Sequence, residues 1–520
     1  MGLTNGIRLL FLLLALSLGA SAHAPSHGEP PGFEIKGFHL DLRIQVMTPQ
    51  ALNAFAKELS AFGINTLVME WEGTYPFENH AVLANKFSYT REEVVDFISY
   101  CDSLGMQVIP LQQSLGHVEY ILRHPRYSLL KEDQKDISQL CPMESEASKA
   151  LFSELLADLA GTHHSDYIHI GGDETYLLGH CEKCARKVAE AGKSRLFVDH
   201  MKMVAQLVLD LGKTPVMWAD IILKYPEAVE DLPKETIFID WNYGWKTNHF
   251  GDIAALQQKG FTFWGAPAIR CHPDNWYVTD WMTHFNNQRD FIPYARKAGY
   301  QGIIMTSWST TGVYGFTWDV GYDVIDMVQV RNTYPLAGFR ILVASYAKAL
   351  ASNVPLDPET FVHHYAKERF GLDGAAAGAL WALLSAPPKL ITNSKPAGGG
   401  TIAQLSEGYD EIRKRINACV PKRHQDEFEH FKLMADLRMH YLAFKAVEAR
   451  YNAEGYTPAE APELLSALDN ILQEAAVLDK RFEALMTGFL YPAEIKEQNR
   501  WRVEQARVLY QRLAKSKDTD

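Results

Sequence analysis

The most informative segment of this chain is Tyr167-Ile-His-Ile-Gly-Gly-Asp-Glu-Thr175. A short apolar run of the kind that forms a strand ends in two glycines, and two acidic side chains follow at once. In barrels of alternating strands and helices, side chains at the carboxyl ends of the strands build the active site. The stretch therefore predicts one strand-helix unit of such a barrel, with acidic residues at its functional end.

The same theme recurs along the first three fifths of the chain. Helix-period segments such as 48–62, 90–104 and 145–160 separate short β-branched or aromatic runs. We count eight such runs: 37–42, 66–71, 107–111, 167–171, 215–218, 237–241, 262–265 and 302–308. Eight strands alternating with helices predict an α/β fold, the (β/α)₈ TIM barrel.

Charged and aromatic side chains gather at or just past the ends of these runs. This position is the functional face of the predicted barrel, and aromatic rings there suit the apolar faces of sugars. A structural role at the barrel rim is the alternative for each tryptophan alone. The residues concerned are Glu70, Trp71, Asp173, Glu174, Trp218, Asp220, Trp241 and Trp308.

The chain is predicted to have three parts. Residues 1–24 contain Arg8, an apolar run and a small-residue end, which predict a cleaved signal peptide and a secreted or periplasmic protein. Residues 25–345 form the barrel. Residues 346–520 show only helix-period segments, at 424–452, 461–482 and 493–515, and predict a helical C-terminal domain.

Composition excludes some partners and leaves the cysteines open. The formal net charge of −12 argues against nucleic acid, and no later segment is apolar enough to predict a membrane span. Six cysteines show no disulfide-scaffold spacing. For Cys181-Glu-Lys-Cys184 we expect a short-range disulfide or two free thiols; a metal site is the alternative, although further ligands are missing from the sequence neighbourhood.

Two adjacent carboxylates limit the chemistry that Asp173 and Glu174 can perform. Paired carboxylates indicate glycoside hydrolysis, but neighbours in sequence cannot straddle a scissile bond as nucleophile and acid. In substrate-assisted hydrolysis the 2-acetamido oxygen of the sugar replaces the enzyme nucleophile. A purely structural role as the acidic start of a helix is the alternative.

The segment His169-Ile-Gly-Gly-Asp-Glu174 resembles the His-x-Gly-Gly-Asp-Glu signature of glycoside hydrolase family 20. Segments 70–77, 110–119 and 216–220 are similar to the hexosaminidase D branch of that family. The resemblance extends from about residue 36 to 308 and does not cover the helical third. It implies a retaining exo-β-N-acetylhexosaminidase, without a cofactor or catalytic metal, acting on terminal GlcNAc or GalNAc of a glycan or glycoconjugate.

The resemblance also implies roles for individual residues. Glu174 would be the acid/base and Asp173 would orient the acetamido group. Of the substrate-binding set, Lys36 stands where the family carries an arginine that grips sugar hydroxyls, which leaves recognition of O3 and O4 open. The other implied substrate-binding residues are His117, His169, Trp218, Asp220, Trp241, Tyr243 and Trp308.

Three other functions remain open from the sequence. A barrel that only binds sugar would be expected to lack one of the two acids. A glycosidase of the same mechanism acting on sulfated or internal linkages would differ in its loops. A metal hydrolase is disfavoured, because no His-x-His or Glu-x-x-His spacing occurs at the strand ends.

Overall fold

A computed structural model describes residues 32–271, 274–309, 316–318, 329–331 and 333–517. The predicted signal peptide, residues 1–24, lies outside these ranges. Within the described part of the chain, no helix is long and apolar enough to cross a membrane.

Eight parallel strands close into a barrel. Each strand pairs with the next along the chain, and closure comes from the pairing of Ile35–Phe38 with Gly302–Met305. The barrel strands are β1 (Ile35–Asp41), β2 (Thr66–Glu70), β3 (Gln107–Leu111), β4 (Tyr167–His169), β5 (Thr214–Trp218), β6 (Ile237–Trp241), β7 (Thr262–Ala266) and β9 (Gly302–Ser307). A short additional strand, β8 (Ala268–Arg270), pairs with the end of β9. The predicted TIM barrel is confirmed.

The alternation of side chains along each strand divides the core into two layers. In β1, Ile35 points into the barrel, whereas Phe38 and Leu40 pack outward against the helices. The inner layer consists of Ile35, Val68, Ile109, Leu111, Val216, Trp218, Ile237, Ile239, Trp264, Ala266 and Ile304. These branched and aromatic side chains fill the interior of the barrel. A pocket is therefore expected at the carboxyl ends of the strands.

Helices follow the strands and cover the barrel. Thr48 and Thr90 cap the first two by accepting backbone N–H groups. The helices of this part are α1 (Pro49–Ala61), α2 (Arg91–Ser103), α3 (Glu119–Leu122), α4 (Ser145–Thr162), α5 (Glu182–Asp210), α6 (Asp220–Lys224), α7 (Ile253–Gln258), α8 (Trp281–Lys297) and α9 (Arg340–Leu350). Tyr346 of α9 donates to the backbone oxygens of Gly37 and Ile303, so α9 belongs to the barrel and crosses the predicted boundary at 345.

The remaining chain is helical apart from a small hairpin of Ile391–Thr392 and Lys395–Pro396. The predicted helix 493–515 is interrupted near Val503 and forms two helices. The helices are α10 (Pro358–Tyr365), α11 (Gly374–Leu384), α12 (Ile402–Asn417), α13 (Gln425–Tyr451), α14 (Ala461–Met486), α15 (Pro492–Arg502) and α16 (Glu504–Lys517). Earlier in the chain, between β9 and α9, two further strands, Phe316–Trp318 and Gln329–Arg331, pair with each other.

The helical region shares one hydrophobic core with the barrel. The ring of Phe482 in α14 packs edge-on against Trp276, with centroids 4.8 Å apart. Glu494 of α15 accepts the backbone N–H of Val46 at 3.0 Å, just beyond β1. Core contacts and buried hydrogen bonds thus tie this region to the barrel wall.

Candidate active site

The turn after β4 presents the two acids to the barrel mouth. Gly171 and Gly172 have φ of 69° and 96°, and a Cβ on Gly171 would lie 2.1 Å from the Gln113 side-chain oxygen. Only glycine fits this backbone at such close approach. Glu174 itself has φ of 48°, and its N–H donates to Asp220 Oδ2 at 3.0 Å. The bend thus places both carboxylates at one site.

Three consecutive strand ends carry a residue in the left-handed backbone region. Glu72 follows β2, His117 follows β3 and Glu174 follows β4, with φ of 43°, 54° and 48°. Such residues cost about 1–3 kcal/mol each and concentrate at functional sites. The strain therefore marks this side of the barrel mouth as the candidate site.

His117 bridges the two acids. Its Nε2 lies 3.4 Å from Asp173 Oδ2 and 3.2 Å from Glu174 Oε2. Burial opposes charge on this imidazole, but the two carboxylates outweigh burial and raise the pKa of His117 well above its usual value. Burial raises the pKa of Glu174, yet hydrogen bonding and charge from His117 lower it overall. The free site therefore holds one proton on His117 between two carboxylates.

Glu174 is the more accessible of the two acids. Its side chain is 34% exposed, compared with 9% for Asp173. The exposed Tyr176 donates its hydroxyl to Glu174 Oε1 at 2.7 Å. Glu174 thus faces solvent, whereas Asp173 is buried and its Oδ1 has no hydrogen-bond partner among the residues that the structure describes.

Asp220 supports the pair from the start of α6. The group is buried and accepts the Glu174 N–H. Burial and the neighbouring charge of Asp173 raise the pKa of Asp220 to about 7. Asp220 therefore holds the backbone of the acid and changes charge close to neutral pH.

A second carboxylate group lies at the ends of β1 and β2. Asp41 accepts Arg43 Nε at 3.1 Å, Arg43 Nη2 at 3.0 Å and the Ser309 N–H at 2.9 Å. Although burial acts in the opposite direction, Arg43 lowers the pKa of Asp41 to about 2. Glu70 pairs with His39 Nε2 at 3.0 Å and accepts from Gln113 at 3.1 Å. Arg43 Nε also lies 3.8 Å from Glu70 Oε1, so nearby donors hold both acids in the ionised form.

Aromatic side chains form the rest of the site. Trp218 is fully buried at its floor, with its ring 4.5 Å from His169 and 6.0 Å from Trp308. Trp308 donates its indole N–H to the Tyr243 hydroxyl at 2.8 Å, and Tyr243 packs on Trp241 at 5.2 Å. Burial lowers the pKa of His169 well below its usual value, and its Nδ1 accepts the Gly171 N–H. The residues that the sequence predicted after β3, β4, β5, β6 and β9 thus lie together at the barrel mouth.

The structure does not bring Lys36 to this site. Lys36 lies near the amino end of β1, opposite Ile303, and its side chain alternates with the inward Ile35 onto the outer face. Asp41 is five residues away at the other end of the strand. Arg43 is the cation at the mouth, with its guanidinium 5.4 Å from the centre of the Trp308 ring.

Several residues of the site were not singled out from the sequence. His39, Asp41, Arg43, Gln113 and Tyr176 all contact the acids or their partners. Asp41 and Arg43 come directly at the end of the first predicted strand, so the rule applied to the other strand ends could have found them. Tyr176 has no comparable signal, because its place depends on the turn at Glu174.

The family comparison agrees with this geometry. Residues 36–312 match the description "Glycosyl hydrolase family 20, catalytic domain". The chain belongs to glycosyl hydrolase family 20. The match lies over the barrel, which is therefore the family's catalytic domain in this chain.

Relatives of this family 20 chain include two proteins named hexosaminidase D. The human protein is 28% identical over 295 residues, which are 53% of this chain and 60% of that protein. The bovine protein is 27% identical over 287 residues, 52% of this chain and 83% of that protein. This chain thus spans about three fifths of the human relative. A crystal structure of a beta-N-acetylhexosaminidase from Bacteroides fragilis is 19% identical, with a TM-score of 0.47, over 64% of this chain and 68% of that chain.

Proposed function

We propose that this protein is a retaining exo-β-N-acetylhexosaminidase that removes terminal GlcNAc or GalNAc by substrate-assisted catalysis. The observation that carries the proposal is the convergence of Asp173 and Glu174 on His117, with one acid buried and the other facing solvent. Similarity to proteins named hexosaminidase D supports the substrate class.

The neighbouring carboxylates argue for a nucleophile supplied by the substrate. Asp41 and Glu70 are held by Arg43, His39, Gln113 and the Ser309 backbone, so their lone pairs are engaged. Glu72 is buried, and burial raises its pKa well above its usual value, which keeps it neutral. None of these three acids is a free carboxylate, and a retaining glycosidase without such a nucleophile can use the acetamido oxygen of its substrate.

The two proposed catalytic acids then divide the work. Glu174 donates a proton to the leaving glycosidic oxygen and later activates water, while Asp173 aligns the acetamido N–H and stabilises the positive charge that develops on its nitrogen. In the free site Glu174 is ionised beside protonated His117. His117, 3.2 Å away, is therefore placed to supply the proton that Glu174 needs.

The sugar would occupy the space between the acids and the aromatic wall. Trp218, Trp241 and Trp308 offer ring faces for its apolar side. Within the described part of the chain, His169 Nε2 and Trp218 Nε1 are buried and have no hydrogen-bond partner, and such groups are candidates to be satisfied by a bound ligand. Tyr243 is the candidate donor to the acetamido oxygen, and Arg43 takes the hydroxyl-binding role first expected of Lys36.

The test is a panel of aryl β-glycosides of GlcNAc, GalNAc and glucose. We expect release from one or both 2-acetamido sugars and at least about a hundredfold slower release from the 2-hydroxy sugar, the scale of a missing preorganised catalytic contact. Equal rates on glucose and GlcNAc would refute substrate assistance. Binding of GlcNAc without release from any sugar would instead favour a barrel that only binds.

A further inference from the structure

Three thiols and a carboxylate converge beside the loop that carries Glu174. The side chains of Glu132, Cys141, Cys181 and Cys184 place one ligand atom each within 4.8 Å of all the others. Cys141 Sγ lies 3.6 Å from Cys181 Sγ and 3.5 Å from Cys184 Sγ, and Cys184 Sγ lies 3.2 Å from Glu132 Oε2. Three of the four residues are buried and Cys181 is partly buried.

The four ligands come from two separate segments. Cys181 caps the amino end of α5, and Cys184 lies in the first turn of that helix. Glu132 and Cys141 belong to the segment between α3 and α4, where the Cys141 N–H donates to the Leu130 oxygen at 2.8 Å. The site thus joins the connection between β3 and α4, which also carries His117, to the connection between β4 and α5, which carries Glu174.

The distances fit a tetrahedral metal. With Zn–S bonds of about 2.3 Å, two sulfurs of a tetrahedron lie about 3.8 Å apart, and a sulfur and a carboxylate oxygen somewhat closer. The backbone also favours anionic ligands, because the Cys184 N–H points to Cys181 Sγ at 3.4 Å and the Cys181 N–H donates to Glu132 Oε1 at 2.7 Å. The amino end of α5 adds a positive partial charge next to them.

A disulfide accounts less well for this arrangement. Cys141 is almost equidistant from the other two sulfurs, so no pair is preferred. A disulfide would bring two sulfurs to about 2.0 Å and leave the third thiol beside a buried carboxylate. A tetrahedral metal ion requires four ligand atoms around one point, whereas a disulfide involves only two sulfur atoms.

We propose that Glu132, Cys141, Cys181 and Cys184 bind one Zn²⁺ ion in a closed structural site. Thiolates select soft or borderline metals, and four protein ligands leave no open position for catalysis. Binding converts three thiols to thiolates and releases three protons to solvent, while Glu132 binds as carboxylate. The ion fastens the two segments that present His117 and Glu174; this does not depend on the proposed substrate.

The first test measures metal content in the full-length protein, purified under reducing conditions and reconstituted with Zn²⁺ alone. We expect about one zinc per chain by elemental mass spectrometry. Cys184→Ser should lose the zinc, whereas the matched control Cys419→Ser, which alters another buried thiol, should keep it. Wild-type protein without bound zinc, or a Cys184→Ser protein with a full equivalent, would overturn the proposal.

A second test does not depend on variants that must fold. Zinc is removed from the wild-type protein and replaced by Co²⁺, whose absorption reports thiolate ligands and tetrahedral geometry. We expect tetrahedral bands with sulfur-to-cobalt charge transfer, and a higher melting temperature for metal-loaded than for metal-free protein. A disulfide among Cys141, Cys181 and Cys184 in peptide mapping of unreduced protein, or an octahedral cobalt spectrum, would contradict the site.

Discussion

Two groups of carboxylates share the mouth of this barrel, and they differ in how their charge is satisfied. Asp41 and Glu70, at the ends of β1 and β2, are surrounded by donors from Arg43, His39, Gln113 and a backbone N–H. Asp173 and Glu174, after β4, share a single imidazole, and Asp173 Oδ1 accepts no hydrogen bond from any described residue.

The difference indicates which group builds the site and which performs chemistry. A buried carboxylate with all its lone pairs engaged is ionised and fixed, so it orients its partners. A carboxylate that keeps an unpaired oxygen can accept a ligand or exchange a proton. Substitutions in the two groups should therefore affect different quantities.

Glu174→Gln should give the largest loss of turnover. The amide keeps the shape but cannot donate the proton, and general acid catalysis is worth about 10²–10⁴-fold. The defect should shrink for aryl glycosides whose leaving groups need little protonation, which kinetics on a leaving-group series would measure. Glu70→Gln should instead lower the melting temperature, because it weakens the contacts of Glu70 with His39 and Arg43. Equal loss across leaving groups would contradict the acid role.

Asp173→Asn should lower turnover by about 10²–10³-fold, the scale for removing one preorganised electrostatic contact. A thiazoline mimic of the cyclised intermediate should bind the wild-type enzyme much more tightly than GlcNAc does, since catalytic sites are complementary to the transition state. Its affinity, measured by inhibition, should fall in the variant while the affinity for GlcNAc changes little. Unchanged thiazoline affinity would exclude Asp173 as the acetamide partner.

The barrel could be predicted because the spacing of apolar residues, and the position of charged and aromatic residues at the strand ends, are local patterns in the sequence. All eight predicted runs overlap observed strands, and the strand-end rule led to Asp173, Glu174, Trp218, Trp241 and Trp308. The packing of α9, which spans residue 345, could not be predicted in this way, because its sequence has the pattern of an ordinary helix and only its contact with β1 and β9 assigns it to the barrel.

Two features were not predicted correctly from the sequence. One needed the three-dimensional structure, and the other needed attention to the alternation of side chains along a strand. Cys141 lies forty positions before Cys181, so the missing ligands of the Cys-x-x-Cys pair could not be found in its neighbourhood. Lys36 was expected at the site from the family resemblance, but it stands five residues before Asp41, and an odd separation along a strand places two side chains on opposite faces. The alternation that identified the strands also argues against that residue.

Arg43→Lys should have an intermediate effect on kcat/KM. Compared with a substitution of Lys36, it tests which end of β1 provides the cation that binds the sugar. A lysine keeps the charge but not the planar fork that contacts Asp41, and lost hydrogen bonds to a charged group are worth about 1.5–3 kcal/mol each. We expect kcat/KM to fall about 10–100-fold, mainly through KM, as measured on the preferred aryl glycoside. The matched control Lys36→Met should retain wild-type kinetics. A comparable loss in Lys36→Met would restore the original expectation for that residue.

Tyr176→Phe should have the smallest effect on activity, and its hydrogen bond to Glu174 determines the direction in which the pH profile moves. The Tyr176 hydroxyl donates to Glu174 Oε1 and lowers the pKa of that carboxyl, so its removal should raise the pKa of Glu174. The proton that Glu174 donates is shared with His117, so a more basic Glu174 raises the apparent pKa at which the pair loses this proton, and the alkaline limb of the kcat/KM profile should move to higher pH. One neutral-to-charged hydrogen bond predicts a change of up to tenfold or so in rate near neutrality. The matched control is Tyr243→Phe, which removes a hydroxyl that accepts from Trp308 and should lower turnover without moving that limb. A shift of the limb to lower pH in Tyr176→Phe would mean that the hydroxyl stabilises the protonated acid, and the arrangement around Glu174 would have to be reassigned.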